Sequence, residues 1–266
     1  MKELEYITII IPLRIDSEER RTNLDAVLNY LCKSEGIKIM LLESDGKPNY
    51  KLREEHSDVM YRFVEDHDPV FYRTRYLNCM LRNVRTPVAG IWDSDVIVPA
   101  EQVIEATQYC LAGDTLCYPF DGRFYAVADR FSRLYKETGN FDILSQNKSL
   151  HWLMHGRYSV GGAFTVNMEK YLSAGGENEY FYGWGPEDTE RRERIANLGL
   201  KISRVQGGLY HLSHPRGINS NFANPERELS NRREYLKICR MNSQELEAYI
   251  STWSWTNIKG RSYATG

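Results

Sequence analysis

Two short stretches of the sequence place acidic side chains where an enzyme could use them. Asp93 and Asp95, in "IWDSDV", follow an apolar run. Alternate side chains of a β-strand share a face about 7 Å apart, so both carboxylates are expected to reach one point. Hard divalent cations take such oxygen ligands, and magnesium or manganese often bridges a diphosphate in this way. The alternative is a solvated turn in which the two aspartates only cap the chain.

A pair of histidines, His211 and His214 in "LYHLSHPRG", lies three residues apart after a strand-like run. Imidazole suits manganese and other transition metals better than magnesium or calcium. A mixed set of carboxylate and imidazole ligands would therefore indicate manganese. Histidines in an exposed loop without a metal are the alternative.

The third cluster is "YFYGWGPEDTERR", in which Glu187 and Asp188 open a predicted helix after Pro186. Acids in the first helical turn gain about 0.3–1 kcal/mol from the helix dipole. The same field keeps a carboxylate ionised, as a general base requires. The dipole does not explain Trp184 between two glycines. We expect these glycines to let Trp184 move and lie against the face of a sugar.

Buried strands and intervening helices are predicted to position these residues. The predicted strands are residues 6–11 (ending at Pro12), 37–43, 59–65 and 87–93, and the predicted helices are 18–34, 71–83 and 99–111. Such alternation predicts a parallel sheet with helices on both faces. Ligands bind along the carboxyl edge of sheets of this kind.

The second half of the chain is less regular. Residues 120–157 are expected to contain loops over the sheet, and 158–168 to form a strand interrupted by two glycines. The remaining predicted elements are a helix from Pro186 to about Leu198, a strand at 200–205, and two helices between Pro225 and Thr252 that divide near Asn242. No linker separates two domains.

Composition excludes several classes of protein. The 266 residues carry a net charge of −2, which gives no general electrostatic grip on nucleic acid. No stretch of 18 apolar residues predicts a membrane span, and the N-terminus lacks the pattern of a signal peptide. Five scattered cysteines without such a peptide favour reduced thiols, so we expect a cytoplasmic protein.

Taken in order, "IIIPLR", "WDSDV", "VGGAF", "YGWGPEDTE" and a His-x-x-His resemble the GT-A fold glycosyltransferases over about residues 6–215. The similarity is to animal β-1,4-galactosyltransferases and to bacterial chondroitin-polymerase-like and capsule glycosyltransferases. It implies an α/β fold of the GT-A (nucleotide-diphospho-sugar transferase, Rossmann-like) type, with a mixed, mostly parallel sheet flanked by helices and a C-terminal helical extension. The single domain, 1–266, would comprise a nucleotide-binding half (1–98), an acceptor half (99–220) and the extension (221–266).

The resemblance also implies roles for individual residues. Asp95, His211 and His214 would bind Mn²⁺ or Mg²⁺, although the galactosyltransferases have methionine at the first histidine. Asp188 would be the catalytic base, with Glu187 and Trp184 binding the acceptor. The nucleotide and donor contacts would be Pro12, Arg14, Glu43 or Asp45, Arg73, Asp93, Gly161 and Gly162. Two departures from the animal motif, Pro186 for glycine and Thr189 for an acid, leave the base in place.

The implied reaction is a metal-dependent, inverting transfer of a hexose or N-acetylhexosamine from a UDP-sugar to a hydroxyl of a saccharide or lipid-linked saccharide. It would serve surface polysaccharide or capsule synthesis, with peripheral contact at the inner face of the membrane. Ser159 and Val160 are smaller than the aromatics of several galactose-specific relatives, which predicts that N-acetylated donors are tolerated.

Two other functions remain open at this point. A nucleotidyltransferase that makes sugar nucleotides would carry a glycine-rich loop after its first strand, and "PLRIDSEERR" has no glycine. A non-catalytic carbohydrate-binding protein would have no use for a metal triad together with a base.

Overall fold

The computed structural model describes residues 2–154, 156, 158–215, 217, 219 and 221–256. The strands are β1 Ile7–Leu13, β2 Lys38–Asp45, β3 Met60–Glu65, β4 Val88–Trp92, β5 Val96–Ile97, β6 Leu116–Tyr118, β7 Arg123–Ala126, β8 Trp152–Met154, β9 Ala163–Asn167, β10 Ile202–Arg204 and β11 Gly208–His211. The α-helices are α1 Glu18–Leu31, α2 Arg73–Leu81, α3 Ala100–Leu111, α4 Asp129–Thr138, α5 Asp142–Ser145, α6 Met168–Ser173, α7 Glu187–Asn197, α8 Pro225–Cys239 and α9 Ser243–Ser251.

Seven strands form the central sheet in the order β10-β6-β9-β4-β1-β2-β3. Only β9 is antiparallel to its neighbours, so the predicted mixed, mostly parallel sheet is confirmed. All seven residues of β1 are buried, as expected for a parallel strand covered on both faces. From β1 the sheet first grows outward through β2 and β3. The chain then crosses back to place β4 on the opposite side of β1. The carboxyl edge at such a reversal is where α/β sheets bind ligands.

A smaller sheet, in the order β5-β11-β7-β8, lies beside the first. It contains part of the region 120–157, for which we expected loops over the sheet; the regular elements there were not predicted. The region holds β7, α4, α5 and β8. Strands of three or four residues are too short to show a hydrophobic period, and α4 buries only Ser132 and Tyr135.

Three predicted strand limits need correction. β1 does not end at Pro12 but continues to Leu13. The strand predicted at 158–168 begins only at Ala163, because Gly162 adopts a left-handed backbone with φ +85°. β4 ends at Trp92, so Asp93 and Asp95 lie in a turn and not on alternate positions of a strand.

Two helices end the described chain and pack beside α7. The side chain of Asn242 caps α9 and forms a capping box with Glu245, which confirms the predicted break near Asn242. Trp253 is fully buried, together with Ile238 and Leu246, in a small apolar cluster between these helices. Residues 257–266 of the expected extension lie outside the described residues. In the part that the structure describes, no helix combines the length and apolar character needed to cross a bilayer.

Candidate active site

Asp95, His211 and His214 come together at the carboxyl edge of the central sheet. Their ligand atoms all lie within 4.8 Å of one another. Asp95 Oδ2 is 3.1 Å from His214 Nε2, and Oδ1 is 3.5 Å from His211 Nε2. Backbone pairing fixes this arrangement, because His211 lies opposite Val96 and the Leu212 N–H donates to the Asp95 carbonyl at 2.8 Å. The predicted cluster thus forms between residues that are distant in sequence.

The electrostatics of this cluster fit a transition metal. Burial opposes ionisation of Asp95, but His211, His214 and Arg20 outweigh it and hold the pKa of Asp95 well below its usual range. Burial lowers the pKa of His211, which favours the neutral imidazole that binds metals. Asp95 Oδ1 is buried without a hydrogen-bond partner. One ionised carboxylate and two imidazoles form a donor set suited to Mn²⁺.

Arg20 is a member of the site that the sequence did not reveal. Its Nη1 lies 3.6 Å from Asp95 Oδ2, and its Nε lies 3.0 Å from Asp16 Oδ1. The residue belongs to the first turn of α1, whose N-terminus Ser17 caps. A cation is unfavourable near a helix N-terminus, and that position was the available signal.

Asp93 is near enough to both Asp95 and Asp188 for their charges to affect it. Its Oδ1 accepts a hydrogen bond from Arg73 Nη2 at 2.7 Å, and its N–H donates to the Gly162 carbonyl at 2.9 Å. Desolvation in this crevice raises the pKa of Asp93; Arg73 opposes the rise, whereas the charges of Asp95 and Asp188 add to it. Asp93 and Asp95 therefore do not share one strand face as predicted, but they do reach the same site.

The two acids that open α7 have different surroundings. Asp188 Oδ1 accepts from Arg191 Nη1 at 2.7 Å. A Cβ added at Gly161 would lie 2.5 Å from Asp188 Oδ2. The Oδ2 atom of Asp188 therefore lies against the Gly161 backbone. Glu187 is 9% exposed, and its Oε2 has no hydrogen-bond partner. Burial and the charge of Asp188 raise the pKa of Glu187 to about 8, so at neutral pH it is mainly protonated and can donate a hydrogen bond.

Trp184 presents an open face, with 45% of the residue exposed. Its ring meets Phe222 edge-on at 4.8 Å, and its carbonyl accepts from the Asn231 side chain of α8 at 3.2 Å. The flanking glycines also have structural reasons to be glycine. Gly183 has φ +75°, and a Cβ at Gly185 would lie 2.6 Å from Asn231 Nδ2. They are required by backbone conformation and close packing.

Arg14 links the ends of two strands to the following loop. Its Nε donates to the Ser44 carbonyl and its Nη1 to the Asp68 carbonyl, both at 2.8 Å. The guanidinium lies 5.5 Å from the centre of the Phe71 ring. Pro12, just before it, is buried within β1. Arg14 therefore shapes this end of the cleft, while Pro12 is buried and offers a ligand little surface.

Of the two acids proposed for the nucleotide base, Glu43 is fully buried. Its carboxylate accepts hydrogen bonds from the Asn49 and Tyr50 backbone N–H groups and from the Tyr61 hydroxyl. It could not contact a nucleotide without breaking this network. Asp45 is partly exposed at the strand end and remains the better placed of the pair.

Gly162, expected among the donor contacts, has a structural reason to be glycine. A Cβ there would lie 2.8 Å from the Phe124 ring and 3.1 Å from Leu209. These two side chains belong to the smaller sheet, so Gly162 allows the two sheets to meet closely beside the metal-type cluster.

Residues 143–216 match a protein-family model described as the N-terminal domain of galactosyltransferase. Mouse β-1,4-galactosyltransferase 7 is 36% identical over 73 residues, which cover 27% of this chain and 22% of that protein. The matched segment thus spans about a fifth of that relative's length. The family-model match, residues 143–216, includes Gly161, Trp184, Asp188 and the histidine pair.

Solved structures resemble the chain over a much larger part. A mannosyltransferase from Pyrobaculum calidifontis, in complex with GDP-Man and Mn²⁺, aligns with a TM-score of 0.53 at 15% identity and covers 93% of this chain and 70% of its own. The catalytic domain of Drosophila β-1,4-galactosyltransferase 7 aligns with a TM-score of 0.51 at 14% identity. The alignment covers 84% of this chain and 78% of the Drosophila chain. The fold is therefore a galactosyltransferase-like GT-A fold, as the sequence predicts.

Proposed function

We propose that the chain is a metal-dependent, inverting glycosyltransferase that moves a hexose or N-acetylhexosamine from a UDP-sugar to a hydroxyl of a saccharide. One observation carries the proposal: a metal-type cluster lies at the ligand-binding edge of a GT-A sheet, and Asp93 beside it is close enough to be affected by the charges of both Asp95 and Asp188. The likeness to glycosyltransferases supports it. A solved Drosophila galactosyltransferase contains manganese, UDP-Gal and xylobiose.

Asp95, His211 and His214 would hold Mn²⁺, or Mg²⁺, on the diphosphate side of the site. The bound cation would neutralise charge as the nucleoside diphosphate leaves. Arg20 adds positive charge next to Asp95, and Arg73 restrains Asp93 through the 2.7 Å contact. Each acid thus has its own arginine, and in this proposal Asp95 serves the metal and Asp93 the donor.

On the acceptor side, Asp188 Oδ2 would accept the proton of the acceptor hydroxyl while that oxygen attacks the anomeric carbon. Attack on the face opposite the leaving diphosphate inverts the centre. Glu187, protonated at neutral pH, would donate a hydrogen bond to a second acceptor oxygen. Trp184 would cover one face of the acceptor ring, and this positioning supplies part of the rate enhancement.

The donor sugar lies, in this proposal, beside residues 159–161. Ser159 is 6% exposed and its carbonyl accepts from Arg204 Nη2, so it presents little side chain. Val160 is partly exposed, so its side chain would form the wall of the donor pocket. A valine leaves more room than an aromatic ring, and we expect UDP-GalNAc or UDP-GlcNAc to be accepted beside UDP-galactose. The acceptor would be a saccharide or lipid-linked saccharide of surface polysaccharide synthesis.

Calorimetric titration of UDP with and without Mn²⁺, followed by a screen of UDP-sugars for hydrolysis and transfer, tests the proposal. GDP-mannose serves as the control donor, because one structural neighbour was solved with it. Manganese-dependent UDP binding with sugar transfer is expected. Formation of a sugar nucleotide and pyrophosphate from UTP and a sugar phosphate would identify a nucleotidyltransferase instead. Saccharide binding without affinity for any nucleotide would identify a carbohydrate-binding protein.

A further inference from the structure

A fully buried guanidinium lies directly behind the proposed base. Arg191 is 0% exposed, and its Nη1 donates to Asp188 Oδ1 at 2.7 Å. Its Nε and Nη2 donate to the two carboxylate oxygens of Glu177 at 3.0 and 2.8 Å. Arg191 thus contacts one acid that is buried and one that reaches the site.

The remaining surface of this guanidinium is also enclosed. Its carbon lies 4.1 Å from the centre of the Phe164 ring, and Nε donates to the Tyr171 hydroxyl at 3.1 Å. Tyr171 in turn donates to Glu177 Oε1 at 2.7 Å. Glu177, Tyr171 and Phe164 are all buried, so they confine Arg191 on every side except that of Asp188.

The environment of Asp188 is therefore asymmetric. Oδ1 is occupied by Arg191, whereas Oδ2 faces Gly161 at the site. A free aspartate could rotate and present either oxygen. Here Oδ1 is engaged by a buried guanidinium, so Oδ2 is the oxygen better placed to accept a proton.

We propose that Arg191, held by Glu177, is a positioning residue that fixes the carboxylate of Asp188 with Oδ2 toward the acceptor hydroxyl. The inference rests on the proposed function and adds a residue to it. Buried ion pairs often add little to stability, because the desolvation of two charges offsets their attraction. A role in orienting Asp188 gives this buried pair a purpose beyond folding.

The same helix supplies a matched control. Arg194 lies one turn further along α7, is also 0% exposed, and pairs with Glu190 at 2.8 Å. Its guanidinium lies 5.4 Å from the Trp253 ring centre, and Nη2 donates to the Gly176 carbonyl. Its hydrogen-bond acceptors are Glu190 and the Ala174 and Gly176 carbonyls, and they do not include Asp188. Arg194→Met should disturb folding as much as Arg191→Met does, without disturbing the base.

The experiment is a double-mutant cycle on the full chain between Arg191→Met and Asp188→Asn. Transfer is measured at saturating donor and acceptor, UDP affinity with Mn²⁺ by calorimetry, and stability by thermal unfolding. Displacement of a reacting group by about 1 Å can cost about 10²-fold, so Arg191→Met should lower kcat by about 10- to 100-fold. UDP affinity should stay within about twofold. In the Asp188→Asn background the same change should cost less than about threefold, because the two residues then act as one unit.

Arg191→Lys keeps the positive charge but loses the planar set of N–H donors that contacts Asp188 and Glu177 together. Its kcat should lie between those of the parent and Arg191→Met. Arg191→Lys also replaces Arg191→Met in the double-mutant cycle if Arg191→Met does not fold. Equal losses in both backgrounds, or an equal loss of kcat in Arg194→Met, would overturn the positioning role. A parent protein that transfers sugar from no UDP-sugar would overturn the proposed function itself, which is a separate result.

Discussion

Substitution of Gly161 by alanine tests whether the direction of the Asp188 carboxylate controls the reaction. The added Cβ would lie 2.5 Å from Asp188 Oδ2, whereas ordinary contact begins at 3.4 Å. The carboxylate must therefore shift by about 0.9 Å, the difference between these two distances. A misplacement of about 1 Å can cost about 10²-fold in rate, so we expect kcat to fall by about 10²-fold, or roughly 2.7 kcal/mol.

Initial rates of sugar transfer at saturating donor and acceptor measure this effect, with UDP affinity and thermal unfolding measured in parallel. The backbone of Gly161 is not left-handed, so Gly161→Ala should leave the unfolding temperature nearly unchanged. Gly162→Ala is the contrast, because φ is +85° and Phe124 lies 2.8 Å from the added Cβ. Gly162→Ala should therefore lower the unfolding temperature more than Gly161→Ala does. A folded Gly161→Ala protein with the parental kcat would refute the reasoning about Asp188.

Four further outcomes are expected. Asp95→Ala should abolish manganese-dependent UDP binding and His214→Ala should weaken it strongly; calorimetry showing parental affinity in either variant would contradict the metal assignment. Asp188→Asn should lower transfer by about 10²–10⁴-fold with nearly unchanged UDP-sugar affinity, since a base acts on the acceptor alone. Trp184→Ala should raise the acceptor KM more than the donor KM in steady-state kinetics, and the reverse order would exclude acceptor stacking. The pKa of Glu187 is raised from 4.5 to about 8 in the folded protein. Between these pH values the folded chain keeps the proton and the unfolded chain has lost it, so the stability of the parent falls as the pH rises. The stability of Glu187→Gln relative to the parent should therefore rise across that window and level off above it, and a pH-independent difference in metal-free urea unfolding would refute the raised pKa.

The long strands of the central sheet could be predicted because burial on both faces leaves a continuous apolar run. β1 and β2 are of this kind, and both were found within two residues of their limits. The smaller sheet could not be predicted, because β7 and β8 have only four and three residues. Such strands are stabilised by neighbours that are remote in the sequence, and a local pattern does not show them.

The same distinction holds for the candidate site. Asp95, His211 and His214 could be predicted because carboxylates and imidazoles at short spacing are the usual ligands of a metal. Arg191 and Glu177 could not, because arginine and glutamate are ordinary on the surfaces of helices and loops. Only tertiary packing reveals that both are fully buried. The spacing of Arg191 three residues after Asp188 was a weak signal, since such pairs are common on exposed helices.

The position of the metal-type cluster has a consequence for the lifetime of the protein. Asp95 and His211 are joined by the pairing of β5 with β11, and the chain between them forms a loop of more than a hundred residues. A cation bound there would act as a removable cross-link across that loop, much as a disulfide restricts an unfolded chain. Chelation would then expose the chain to proteolysis more readily than loss of a surface ion would. A bound cation would thus set how long the folded chain resists proteolysis, since a ligand of the native state adds to its stability.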